Sequence, residues 1–242
     1  MRLLAAVALA AVSSWALAQP YGGSPSGPGP RPATIQVTGE AQVSETPDRV
    51  YIDIGVSTQA PKSETAAAQN AERLSAVIAA VKRAGGAGAQ LATTEYSISP
   101  NYRYPRNGAA TVVGYTVSNV VQVRLDDLQR IGRVIDAATE AGSNNVQNIR
   151  FALRDEQAVR DEALRQAALK ARRDVETLAD ALDLKVVRVL TVNEEGPAMA
   201  PVYPRMALRM EAQAAPATPV EAGTLDISAT VTLTVEVAPA KR

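Results

Sequence analysis

Arg49-Val50-Tyr51-Ile52-Asp53-Ile54-Gly55-Val56-Ser57-Thr58 is the stretch that decides the fold class. Val50, Ile52, Ile54 and Val56 recur at every second position and are all branched at Cβ, the pattern of a strand with one face in a core. Just upstream, Thr34 to Ser44 alternates more loosely through Ile35, Val37, Ala41 and Val43. With Thr46-Pro47-Asp48 between them as the turn, the two stretches read as a hairpin.

Downstream the period changes from two to three and four. Ser63 and Glu64 open a helix predicted to run to Ala84, with Ala67, Ala71, Leu74, Ile78 and Val81 on one face and Gly85-Gly86 as its stop. A second hairpin follows, Leu91 to Tyr104 and Thr111 to Arg124, turning at Pro105-Arg106-Asn107-Gly108, where Asn-Gly is a strong hairpin signal. Asp126 is placed to cap a second helix with Leu128, Ile131, Ile135 and Ala138 on one stripe and Gly142 at its end. Arg73 to Gly85 and Arg130 to Gly142 align without gaps, a weak internal repeat that either a duplicated strand-strand-helix unit or shared helix composition produces.

Val146 to Leu153 reads as a short strand, and Asp155 to Asp183 as the longest helix, with a seam through Leu164, Ala168, Ala171, Val175, Leu178 and Leu182. Its other face carries Glu156/Arg160, Asp161/Arg165 and Arg172/Glu176 at four-residue spacing, pairs that stabilise a solvated helix. Lys185 to Val192 and Thr224 to Val237 are strands. The order ββα-ββα-βα-ββ describes an α+β fold in which an antiparallel-rich sheet of about seven strands is covered by helices.

Composition removes whole classes of chemistry. There is no cysteine and no histidine, which excludes Ser-His-Asp and Cys-His nucleophile systems, His-ligated metals, disulfides and thiol redox chemistry. Lys plus Arg equals Asp plus Glu at 25 each, with no long block of one sign, so nothing marks the chain for nucleic acid. Aromatic residues make up only 4%, too few for base-stacking platforms or a barrel's aromatic girdles.

Arg2, the apolar run Leu3 to Val12, and Ala16-Leu17-Ala18 have the layout of a secretory signal peptide, residues 1–18, cleaved between Ala18 and Gln19. The run is about half of the ~20 residues a membrane span needs. The expectation is therefore a periplasmic protein with no transmembrane segment after signal removal. Residues 19–32, rich in Pro, Gly and Ser, read as a disordered tether. Residues 33–238 form the domain, interrupted by a Pro/Ala/Met loop at 196–219.

Thr34-Ile35-Gln36-Val37-Thr38-Gly39-Glu40 followed by Pro47-Asp48-Arg49 is similar to the opening of SIMPL-domain proteins. The resemblance continues through Gly114-Tyr115, Asn119 to Val123, Asp127-Leu128 with Ile131-Gly132, Ala141-Gly142 with Phe151, and Glu176-Thr177-Leu178-Ala179. It implies a SIMPL-type fold and a periplasmic or outer-membrane-associated protein of the kind known as a periplasmic immunogenic antigen and linked to oxidative-stress tolerance. It also implies self-assembly into rings or channel-like particles, with no catalytic residues and no cofactor. The expected partner is a second copy of the chain. A module that captures a small molecule or peptide between sheet and helices is the alternative.

Three groups of residues remain as candidate sites. Glu194-Glu195 and Asp126-Asp127 are paired carboxylates of the kind acid/base catalysis uses, but helix capping accounts for the second pair, and no nucleophile or metal-ligand spacing accompanies the first. Met199, Met206 and Met210 share one Pro-rich loop, where thioethers bind soft metals or absorb oxidant, although their spacing is irregular. Tyr102, Arg103, Tyr104 and Arg106 crowd the tip of the second hairpin. That mixture is enriched at protein interfaces, so the tip is either a contact between copies or a piece of the subunit's own packing.

Overall fold

The computed structural model of this chain describes residues 32–106, 108–195 and 220–240. The expected signal peptide and its Ala18/Gln19 cleavage point, nearly all of the tether, the loop at 196–219 with its three methionines, and Asn107 lie outside the described residues.

The elements follow the expected order: β1 (Thr34–Glu45), β2 (Arg49–Ala60), α1 (Ser63–Gly85), β3 (Gln90–Arg103), β4 (Thr111–Leu125), a 3-10 turn at Leu128–Arg130 leading into α2 (Ile131–Glu140), β5 (Asn145–Ala152), α3 (Glu156–Ala181), β6 (Leu184–Glu195) and β7 (Leu225–Pro239). The fold is α+β and every strand pair is antiparallel. The strands divide into two sheets rather than one of about seven. One has the order β1-β7-β6 and the other β3-β4-β2-β5.

β1 and β2 are consequently not a hairpin. β2 lies in the middle of the four-stranded sheet, between β4 and β5. β1 pairs instead with β7 near the far end of the chain, from Thr34↔Glu236 to Glu45↔Leu225. The linking residues are recruited elsewhere: the Asp48 N–H donates to the Ala152 carbonyl at 3.3 Å, and the Asp48 carboxylate accepts from the Arg154 N–H at 2.7 Å. Pro47 has no N–H with which to close a tight turn. The chain is thus handed to β5 instead of folding back on itself.

The second hairpin is as expected, with Gln90↔Arg124 through Arg103↔Thr111 in register apart from two irregularities. α1 covers β2 and β4, and α2 packs against α1. Their shared core contains Val50, Ile52, Ile54 and Val56, the alternating residues of β2, together with Leu74, Val77, Val81, Val121, Val123, Leu125, Ile131, Val134 and Ala138. Ala71 of the anticipated α1 face is exposed, and Ala66, Asn70, Val77 and Ala80 take the buried positions. Buried Asn70 donates through Nδ2 to the Val56 carbonyl at 2.8 Å and the Val117 carbonyl at 3.1 Å, tying α1 to two strands at once. The aligned helical segments fall on α1 and α2, but the strands before α1 sit in different sheets while those before α2 form a hairpin. The pairing is not repeated.

α3 packs on β1, β7 and β6. Its buried line is Ala163, Ala167, Ala171, Val175 and Ala179: Ala171 and Val175 of the anticipated seam lie in it, whereas Leu178 is 42% and Leu182 60% exposed. Gly39 sets the middle of that line. A Cβ there would meet the Ala167 carbonyl oxygen and come within 2.9 Å of Ala171 Cβ, so α3 rests on the strand backbone and only alanines fit beneath it. On its solvent side Arg172 pairs with Glu176 as expected, whereas Arg165 pairs with Glu162 rather than Asp161.

Candidate interaction surface

β3 is the outer strand of its sheet, and α1 lies mainly over β2 and β4. The apolar residues of β3 therefore lose their cover toward the hairpin tip. Ile98 sits opposite fully buried Val117, yet is itself 45% exposed. Tyr96 is 56% exposed, Tyr102 50% and Tyr104 77%, and Val112 and Val113 across the hairpin are similarly open. The Tyr102 and Tyr104 rings lie against each other, 6.3 Å between centroids with planes tilted by 42°. Arg103 and Arg106 are exposed beside them. Tyr102 and Tyr104 are thus surface residues, and the result is an apolar strip with a basic fringe.

The paired carboxylates go elsewhere. Asp126 does not cap the helix. It accepts from Arg49 Nε at 2.7 Å and Nη2 at 3.2 Å, with Arg154 at 3.7 Å, and the Arg49 hydrogen bond holds its carboxyl below the usual range. Asp127 is the cap, taking the Gln129 N–H at 3.1 Å, and Arg130 at 2.8 Å holds its pKa down as well. Each Asp is occupied as a structural counter-ion, which is poor preparation for proton transfer. Glu194 and Glu195 end β6 in solvent. Among the described residues no three carboxylates gather as a metal site.

A hollow of about 670 Å³ lies between α3 and β1, lined by Glu40, Ala41, Gln42, Leu169, Lys170 and Arg173 among others. Leu169 is 45% exposed in it. On β6, Val187, Val189 and Val192 are more than half exposed, because α3 reaches only part of that strand. These openings were missed in the sequence because their exposure depends on which strands became edges. No helix among the described residues is long and apolar enough to cross a membrane.

Residues 35–235 match the SIMPL family, described as proteins of unknown function (DUF541). The chain belongs to the SIMPL family. It is similar to the 26 kDa periplasmic immunogenic protein of Brucella melitensis, with 31% identity over 214 residues, 86% of each chain. It is 24% identical over 192 residues to the uncharacterized protein YggE of Edwardsiella ictaluri, covering 79% of this SIMPL chain and 78% of that one. YggE of Escherichia coli K12 is 26% identical over 158 residues, covering 65% and 64%. Among solved structures, AtUAH in complex with glyoxylate overlaps 56% of this chain and 34% of its own at a TM-score of 0.26 and 14% identity, too slight a likeness to bear on fold or chemistry.

Proposed function

We propose that this SIMPL protein works in the periplasm as a non-catalytic, self-associating scaffold of the cell envelope, in the stress-related setting that the family resemblance implies. One observation carries the reading: Tyr96, Ile98, Tyr102, Tyr104 and Val112 stand exposed together on a chain whose interior is otherwise closed around aliphatic residues. An apolar strip rimmed by arginine on a soluble protein marks a contact surface. The periplasm is supported by the name of the Brucella relative and by the leader-like residues 1–18. Of the paired carboxylates, Asp126 and Asp127 are bound to arginine and Glu194 and Glu195 stand in solvent, which supports a role without chemistry.

Light scattering of the exported chain at micromolar concentration tests the proposal. A closed oligomer is expected without added ligand. A monomer would overturn the scaffold and favour a binding module, with the hollow beside Leu169 as the place to look for its ligand.

A further inference from the structure

The second hairpin outruns its sheet. β2 pairs with β4 only as far as Ala60↔Tyr115, while β3 and β4 stay paired through Asn101↔Gly114, Tyr102↔Val112 and Arg103↔Thr111. Residues 101–103 and 111–114 therefore form a two-stranded arm with no third strand beside it. A bare ribbon of two strands is marginal in water, and this one exposes apolar residues. From Glu95 to Arg103, β3 carries no extra residue, so Tyr96, Ile98, Pro100 and Tyr102 share one face, and Tyr102 leads onto the Tyr104 ring. Arg103 and Arg106 stand exposed at the end of the arm, and no carboxylate among the described residues pairs with either.

A second apolar surface ends in the opposite charge. β6 holds an extra residue at Val187 and another at Leu190, and these bulges change its period from two to three. Val186, Val189 and Val192 pair with Val237, Val235 and Leu233, all on the face toward α3. α3 crosses that face obliquely, from Gly39 of β1 under Ala167 and Ala171 to Val235 and Val237 of β7 beside Val175 and Ala179. It shelters Val186 but leaves Val189 53% and Val192 61% exposed, with Val187 open beside them. Glu194, opposite Val231, continues the same face and Glu195 follows it; no cation among the described residues pairs with either.

Resting on the self-association proposed above, we infer that the arm of one copy docks on the outer half of β6 in a second copy. Tyr102 and Tyr104 cover Val189 and Val192, while Arg103 and Arg106 meet Glu194 and Glu195. The charges select this contact over the symmetric ones. Arm against arm sets the two arginines of each copy against those of the other, and β6 against β6 does the same with the glutamates; only arm against β6 brings opposite signs together. The site is sterically open, because α3 lies toward β1 at the level of Val192 and the arm projects past the end of β2. The contact joins unlike surfaces, so each added copy offers a new arm or a new β6, and growth stops only when the assembly closes on itself.

Charge exchange in the full chain tests the contact, with native mass read by light scattering in low salt, where exposed charges are least screened. Arg103→Glu/Arg106→Glu and Glu194→Lys/Glu195→Lys should each at least halve the mass. All four changes together restore the attraction with its signs reversed, so that variant should return to the wild-type mass, as should an equal mixture of the two double variants. Circular dichroism checks the fold of each. If a double variant fails to fold, Val189→Ser/Val192→Ser, at two side chains more than half exposed, should halve the mass instead. A Glu194→Lys/Glu195→Lys protein as large as the wild type, or a fourfold variant that stays small, overturns the docking of arm on β6 while the scaffold stands. A monomeric wild type overturns both.

Discussion

Gly39 of β1 lies directly beneath Ala171 of α3, so close that a methyl group on the glycine would come within 2.9 Å of the alanine Cβ. The missing side chain is what allows helix and sheet to touch backbone to backbone. Gly39→Ala should therefore lower stability by about 1–3 kcal/mol, the range for overpacking. Gly88→Ala, where an added Cβ meets nothing within 4 Å, should shift it by no more than about 0.5 kcal/mol. Urea unfolding followed by circular dichroism measures both.

Asn70→Ala should cost about 2 kcal/mol, because it deletes two hydrogen bonds to buried strand carbonyls at 2.8 and 3.1 Å. The same denaturation assay decides it. An unchanged midpoint would mean that the β2–β4 ladder alone satisfies the Val56 and Val117 carbonyls.

Asp126→Asn tests the Arg49 fork. The Asp126 pKa is depressed from its ordinary 3.8, so the ion pair contributes fully above that value and its contribution disappears as pH falls through the lower folded pKa. At pH 7 the variant should be less stable by about 1 kcal/mol, the upper end for a solvent-accessible pair. As pH falls below 3.8 and through that lower folded value, the two proteins should converge. Thermal unfolding across that range gives the difference, and a constant gap would assign the loss to something other than charge.

Replacing Tyr102 and Tyr104 together by serine should lower the native mass and leave the circular dichroism spectrum and cooperative unfolding unchanged. Both rings are at least half exposed, so their loss opens no cavity in the subunit. Analytical ultracentrifugation at several concentrations follows the mass. An unaltered oligomer would remove the hairpin tip from the assembly.

The parts of the fold that were legible are those fixed by near neighbours. Asn-Gly marked the β3–β4 turn, and Ile131, Ile135 and Ala138 marked the buried stripe of α2. The parts that were not are choices between distant partners. Alternation in β1 said that it was a strand but not which strand it would join, and its nearness to β2 suggested the wrong one. Ranking α3 by apolarity picked Leu178 and Leu182, although the stripe that faces the sheet runs through Ala163, Ala167 and Ala179. Asn70 carried no signal in the sequence, because its role rests on carbonyls of two strands. Asp126 and Asp127 were both plausible caps until Arg49 claimed the first. The tyrosine tip was visible in composition, but its exposure was set by where α1 lies.

The two sheets also differ in when they can exist. The four-stranded one is drawn from the contiguous stretch 49–152, whereas the three-stranded one joins Thr34 to Glu236 and so waits for the last strand of the chain. Loop closure over so long a separation is slow, and the early sheet gives the late one a surface on which to assemble. A chain halted before its last strand would hold a finished four-stranded half while β1 and the alanine face of α3 stayed bare, a species prone to aggregation until that strand arrives.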